Sequence, residues 1–228
     1  SRHTTEEQLV EIANTDTSRI TRLWAYRILL KKADKQVFDI LKQALKDTTH
    51  VELMSGCSRF EEPYNRTAIS VYRYDGNELK LSNQLRFSLD SLIFFGYMKN
   101  KGFENGLLMD FKPHKIYYAT VIEEADKGND AILPLLAQYK NPNDRQRINK
   151  LLKDNLKKAG VCSYEACGAI SNWNDPAFEW YAKAACQATI KQEDYYAGDI
   201  LPLLWAYPAP WSYQILKKLL TQKGDYSN

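Results

Sequence analysis

Ile132-Leu133-Pro134-Leu135-Leu136 returns as Ile200-Leu201-Pro202-Leu203-Leu204, and Lys150-Leu151-Leu152 returns as Lys218-Leu219-Leu220. Both recurrences lie 68 residues apart, two turns of a 34-residue period that a second signal also keeps. That signal is an aromatic followed three positions later by proline: Tyr139 with Pro142, Trp173 with Pro176, and Tyr207 with Pro210. A fixed period in the tens of residues is the mark of stacked supersecondary units rather than one closed core. Arrays of that kind work by presenting a long surface to a partner.

Each unit reads as a pair of helices. In the first, Pro134 falls in the opening turn of a short apolar helix, where a missing N–H costs nothing. Asn141-Pro142-Asn143-Asp144 is then a turn, and Pro142 opens the second, more polar helix. Six residues past each proline stands an apolar residue, Ile148, Ala182 or Leu216. Nine and ten past stand Leu151-Leu152, Ala185-Cys186 and Leu219-Leu220, which completes one buried helical face. On this register Leu151, Leu152, Leu219 and Leu220 are expected in the core.

Upstream the pattern is less regular. Phe60 with Pro63 repeats the aromatic-proline spacing and has Ile69 six beyond, while Pro113 follows Leu107-Leu108-Met109 and has Ala119 six beyond. Thr4-Thr5-Glu6-Glu7 is a helix start before Leu9, Val10 and Ile12. A strongly apolar helix follows through Ile20, Leu23, Trp24, Tyr26, Ile28 and Leu29, then another from about Asp34 with Val37, Phe38, Ile40, Leu41 and Leu45 on its inner face. Residues 69–81 admit two readings. The alternation Ile69-Ser70-Val71-Tyr72 and Glu78-Leu79-Lys80-Leu81 about Asp75-Gly76 suggests a hairpin. An isolated hairpin is marginal in water, so helix is the preferred reading.

Composition sets outer bounds. The chain has 228 residues, 44% of them hydrophobic and 26% charged, which is the profile of a soluble globular protein. A net charge of +3 is modest beside the concentrated lysine and arginine of most nucleic-acid binders. No apolar run approaches a membrane span, so no membrane partner is expected. The first residue is Ser1 rather than Met, which is read as a processed or trimmed start. The compartment stays open: cytoplasmic or, with a signal peptide removed, periplasmic or extracellular. Cys57, Cys162, Cys167 and Cys186 are sparse for this length and read as buried small hydrophobes, although Cys162 and Cys167 are close enough to bridge across a turn in an oxidising compartment.

The Ile-Leu-Pro-Leu-Leu helix, the tyrosine, the Asn-Pro or Ala-Pro turn and the helix ending in Leu-Leu together resemble a HEAT-type repeat. The resemblance is clearest over 106–223. It implies an all-α, right-handed αα-solenoid of about five helix pairs in a single domain over 1–228, irregular over 1–105 and regular over 106–223. It also implies that the first helices form a convex side and the second helices a concave one.

Enzyme chemistry is thin. His3, His50 and His114 show no metal-ligand spacing with cysteines or acids, so no metal or cofactor is expected. Cys57 in Ser55-Gly56-Cys57-Ser58 has no base at hand in sequence, and a buried cysteine is the better reading. Glu61-Glu62 and Glu123-Glu124 read as solvated helix faces. Tyr139, Trp173 and Tyr207 recur in register and are read as wedges at the helix corner, whereas Trp180, Trp211 and Tyr213 do not recur and suit binding hot spots.

The functional expectation is therefore non-catalytic binding of another protein, neutral or acidic, through the second helices. Arg147, Lys150, Trp180, Lys183, Tyr213 and Lys217 are the residues expected to carry it. One form of such a protein is an inhibitor or immunity-type protein that plugs a toxin or enzyme. Two other classes stand beside it: a HEAT-like DNA glycosylase or nucleic-acid-binding repeat protein, and a scaffold or adaptor subunit.

Overall fold

The computed structural model describes residues 4–55, 57–76, 81–109, 111–159, 163–191 and 200–221. Among the described residues the fold is mostly helical, with one two-stranded antiparallel hairpin. The chain divides into two compact units, Ser1–Gly102 and Phe103–Asn228, close to where the regular repeats begin.

The first unit opens with α1 (Glu6–Thr15), started by a reciprocal cap. The Thr5 hydroxyl accepts the Gln8 N–H at 3.3 Å while the Gln8 side chain accepts the Thr5 N–H at 2.9 Å. Leu9 and Ala13 face inward, and α1 packs on α2 (Arg19–Lys31). In α3 (Val37–Ala44), Val37, Ile40, Leu41 and Ala44 follow the i, i+3, i+4, i+7 spacing and are all buried. Strands β1 (His50–Ser55) and β2 (Ser58–Pro63) pair from His50 with Pro63 to Ser55 with Ser58. Next comes α4 (Tyr64–Gly76), against α2 and α3. Then α5 (Asn83–Ser91) runs on through a π-helical segment, Leu92–Met98, into α6 (Lys99–Lys101). The wider π turn buries Ile93, Phe94, Tyr97 and Met98. Gly102, at φ 109°, ends the rod in a conformation that side chains resist.

The hairpin corrects the sequence reading at one point. Phe60 and Pro63 are not a helix corner: His50-Val51-Glu52-Leu53 and Arg59-Phe60-Glu61 pair as strands, and Pro63 closes β2 where its missing N–H is tolerated. Cys57 sits in the turn and is exposed, not buried. Residues 69–76 are helical, in keeping with the preferred reading, and the Leu79-Lys80 half of that stretch lies outside the described residues.

The second unit starts with α7 (Asn105–Leu108) and α8 (Lys115–Asp126). Three pairs follow: α9 (Leu133–Gln138) with α10 (Arg145–Ala159), α11 (Tyr164–Trp173) with α12 (Glu179–Thr189), and α13 (Leu201–Ala206) with α14 (Pro210–Thr221). First helices pack in series, α9 on α11 and α11 on α13, and second helices likewise, α10 on α12 and α12 on α14. The prolines do what the sequence requires of them, since Pro134, Pro142, Pro176 and Pro202 all stand in opening turns. The Asn141 and Asp175 side chains cap the turns behind Pro142 and Pro176, accepting the N–H of Asn143 at 3.1 Å and of Ala177 at 3.0 Å.

The two corners share a further device. Lys140 and Asn174, one period apart, both take left-handed backbone, at φ 50° and 55°. The next position in register is Pro208, whose ring forbids positive φ, and the third corner turns instead through Tyr207 at φ −121°. The corner aromatics are anchored as expected. Tyr139 donates its hydroxyl to the His114 carbonyl at 2.7 Å, Tyr207 donates to the Asp175 carbonyl at 3.1 Å, and Trp173 meets Phe178 edge to face.

Core positions follow the register through two pairs and then depart from it. Ile148, Leu151, Leu152, Ala182, Ala185 and Cys186 are fully buried. Leu220, in contrast, is 78% exposed and Leu219 is only half-buried. The expectation that both were core fails because, among the described residues, no later pair covers α14 as α12 covers α10. Ala119, placed inward by the looser upstream spacing, is exposed; α8 buries Tyr117, Val121 and Ala125 instead.

Candidate functional site

Six side chains were expected to share one binding face, and the structure distributes them over three settings within the second unit. Arg147 is committed internally. Its Nε and Nη2 grip Asp126 at 2.6 and 3.2 Å and its Nη1 meets Asp144 at 2.8 Å. The buried Asp144 also accepts the Tyr118 hydroxyl at 2.8 Å. Hydrogen bonding to Asp126 raises the Arg147 guanidinium above its ordinary value, and the same bond holds the exposed Asp126 carboxyl below its own. Burial, then the bond to Asp144, pushes the Tyr118 hydroxyl up. This is a clamp joining α8 to α10, with little left over for a partner.

Lys150, Trp180 and Lys183 form the second setting, a surface running across α10, α12 and α14. Trp180 is 37% exposed, and its indole N–H donates to the Asn149 side chain at 2.6 Å. Its ring lies 6.0 Å from the Lys153 ammonium and edge-on to Tyr181. One helix further on, Trp211 repeats the arrangement by donating to the Glu179 carboxylate at 2.8 Å. Each tryptophan is thus fixed by a side chain from the preceding second helix. Between α12 and α14 lies an open groove of about 480 Å³, walled by Lys183, Gln187, Lys191, Trp211, Gln214 and Lys218 among others. Sequence reasoning placed Lys183 here and weighed Trp211. It missed Lys191 and Lys218, which only the pairing of α12 with α14 brings together.

The charge on this surface is one-sided. Helix α10 carries Arg145, Arg147, Lys150, Lys153, Lys157 and Lys158 against Asp154 alone. Arg145 is spent on the buried Asp175, which it holds through two bonds of 2.7 Å. Lys150, Lys153, Lys183, Lys191 and Lys218 make no ion pair within 4.0 Å among the described residues. Among the described residues, then, two fixed indoles stand beside ammonium groups that make no ion pair.

Tyr213 and Lys217 belong to the third setting. Tyr213 is 63% exposed and lines a separate apolar groove between α13 and α14, with Leu201, Trp205 and Pro208. Lys217, one turn on from Tyr213 along α14, is exposed. Trp205, 87% exposed, is the functional candidate that sequence reasoning overlooked. Its signal was present, since it replaces Ala137 of the first copy.

The groups weighed for chemistry hold structural posts. His114 caps α8, its Nδ1 accepting the Ile116 N–H at 3.4 Å. Glu123 and Glu124 pair with Lys127, and Glu62 with Arg66. Burial raises the Cys186 thiol to about 12. Cys167 is disulfide-bonded, whereas Cys162, like His3, lies outside the described residues. Among the described residues no group of three or more His, Cys, Asp or Glu is placed to hold a metal ion, and no helix is long and apolar enough to cross a membrane. No protein-family model, curated protein or solved structure matches this chain.

Proposed function

We propose that this chain is a non-catalytic, protein-binding αα-solenoid that holds an acidic partner against its second helices. The observation that carries the reading is the pair of hydrogen-bonded indoles, Trp180 and Trp211, set among lysines that make no ion pair within 4.0 Å among the described residues. Indoles already immobilised lose little entropy on binding, and unpaired lysines gain attraction without breaking an existing pair. An inhibitor of an enzyme or toxin with an acidic face, and a scaffold subunit, are both forms of this function. The experiment compares quantitative capture from native lysate by the wild type, by Lys183→Glu/Lys218→Glu and by Lys140→Glu, an exposed corner residue away from the groove. The double reversal is expected to weaken the main partner by about 1–2 kcal/mol or more, with Lys140→Glu close to wild type. Equal capture by all three rules the surface out.

The cation excess of α10 favours one second reading, a polyanion-binding or glycosylase-type repeat protein. A mobility shift with alkylated duplex DNA at low salt tests it. Retardation that disappears in Lys150→Glu/Lys153→Glu would favour nucleic acid over protein.

A further inference from the structure

The groove between α12 and α14 has a counterpart one period earlier, in the seam between α10 and α12. In that seam the ring of Trp180 reaches across to α10. Its N–H donates to Asn149 at 2.6 Å, the Lys153 ammonium stands 6.0 Å from the ring centre, and Tyr181 meets it edge-on at 5.7 Å. Thirty-four residues on, Gln214 replaces Trp180 and Ile215 replaces Tyr181, while Lys183 and Gln187 replace Asn149 and Lys153. All four replacements line the open groove of about 480 Å³. The seam has lost its indole but kept what surrounded it, since carboxamide and ammonium have only changed places. Two further changes enrich the wall: Trp211 stands for Ala177, and Lys218 for Ala184. With Lys191 the groove has three ammonium groups and no acid among its described lining residues. The Glu179 carboxylate nearby accepts the Trp211 N–H.

We infer that this groove takes one aromatic side chain of a partner protein, with carboxylates next to that residue in the partner's chain. The inference rests on the reading of the second helices as the surface for an acidic partner, and it names what that partner inserts. The earlier seam argues for a ring, because the protein itself fills the equivalent place with one. The Gln187 carboxamide can accept from an indole N–H or a phenol, and the Lys183 ammonium can meet the ring face. Charge supplies the flanks: Lys191 and Lys218 attract carboxylates on either side of the ring. An aromatic anchor seated between helices, with charges around it, is the arrangement in which a single residue dominates binding. A nucleobase with its phosphates is also a ring beside anions. The occupant of the earlier seam is an amino-acid side chain, which decides for a protein.

The test uses the full isotope-labelled chain and three acetylated, amidated tripeptides: Glu-Trp-Glu, Glu-Ala-Glu and Lys-Trp-Lys. Each is titrated to about 10 mM, at which millimolar binding still gives high occupancy. Glu-Trp-Glu should shift backbone amides within 183–191 and 211–218. The other two should bind roughly ten-fold more weakly. Gln214→Trp keeps all three lysines and puts an indole back at the position of Trp180, so it should abolish the shifts. Gln214 is exposed, and an unchanged far-UV spectrum confirms that the variant folds. Equal binding of Glu-Ala-Glu overturns the ring and leaves the acidic-partner reading standing. Equal binding of Lys-Trp-Lys, with no loss in Lys183→Glu/Lys218→Glu, overturns both. Glu-Trp-Glu binding that is absent from the wild type, or that survives Gln214→Trp, overturns the inference alone. So does tighter binding of a short oligothymidylate at the same amides. Binding that appears only in Glu193→Gln/Asp194→Gln overturns it too, because acids of the chain itself would then be the lysines' partners.

Discussion

Leu152 and Leu220 occupy one repeat position, yet the first is fully buried and the second largely in water. The same deletion should therefore have unequal consequences. Leu152→Ala is expected to cost about 2–5 kcal/mol in denaturant unfolding, as cavity-forming substitutions do, and Leu220→Ala within about 0.5 kcal/mol of nothing. Equal losses would mean that Leu220 is covered in solution. The cysteines divide in the same way. Cys57, exposed in the hairpin turn, should react with an aromatic disulfide reagent in the native protein, and Cys57→Ser should remove that phase. Cys186, buried with its thiol pushed up to about 12, should react only on unfolding. Asp47 gives a pH handle. Burial pushes its carboxyl up, but the Thr49 hydroxyl and N–H, together with Arg22 at 3.0 Å and Arg19 at 3.5 Å, outweigh burial and leave it below the ordinary value. A depressed carboxyl contributes stability above its unfolded value and loses it as pH falls through the folded one. Acidification below about pH 4 should accordingly destabilise the wild type more steeply than Asp47→Asn.

At the scale of elements, the second helices are linked by indole hydrogen bonds from Trp180 to Asn149 and from Trp211 to Glu179. A double-mutant cycle on Trp211→Phe and Glu179→Gln should show a coupling of about 0.5–1.5 kcal/mol, and additive losses would show the bond to be without weight. The helix pairs over 131–189 were legible in sequence because prolines, caps and apolar spacing all agree there. Thr5, Pro142 and Asp175 mark starts that need no tertiary information. The hairpin at 50–63 was not legible, because Phe60 and Pro63 imitate the aromatic-proline spacing and an alternation of five or six residues is a short signal. The clamp on Arg147 was not legible for a similar reason: Asp126 and Asp144 are 21 and three residues away, and only the packing of α8 on α10 joins all three. Trp180 was singled out by its lack of recurrence and Lys183 as a cation of a second helix, whereas Lys191 and Lys218 needed the neighbouring helix.

For the molecule as a whole, the division at Gly102 separates two sets of buried side chains. One is centred on Leu29, Leu41, Ile69 and Phe94, the other on Leu136, Leu151, Tyr181 and Ile200. Each is large enough to sustain a core. Residues 1–102 and 103–228 produced separately should each give a helical far-UV spectrum and a cooperative melt, and a coil spectrum from either would show that its core does not close alone. Within the second unit, a pair held on two sides resists opening more than a pair held on one, and among the described residues α13 with α14 is held chiefly through α11 and α12. The uncovered end therefore sets a gradient in time as well as in space. Amide hydrogens of 204–220 should exchange with solvent through small, frequent fluctuations, while those of 148–156 and 181–186 wait for the unit to unfold. A partner seated on the last pair would be read first as a slowing of exchange there, before any change in the spectrum of the folded chain.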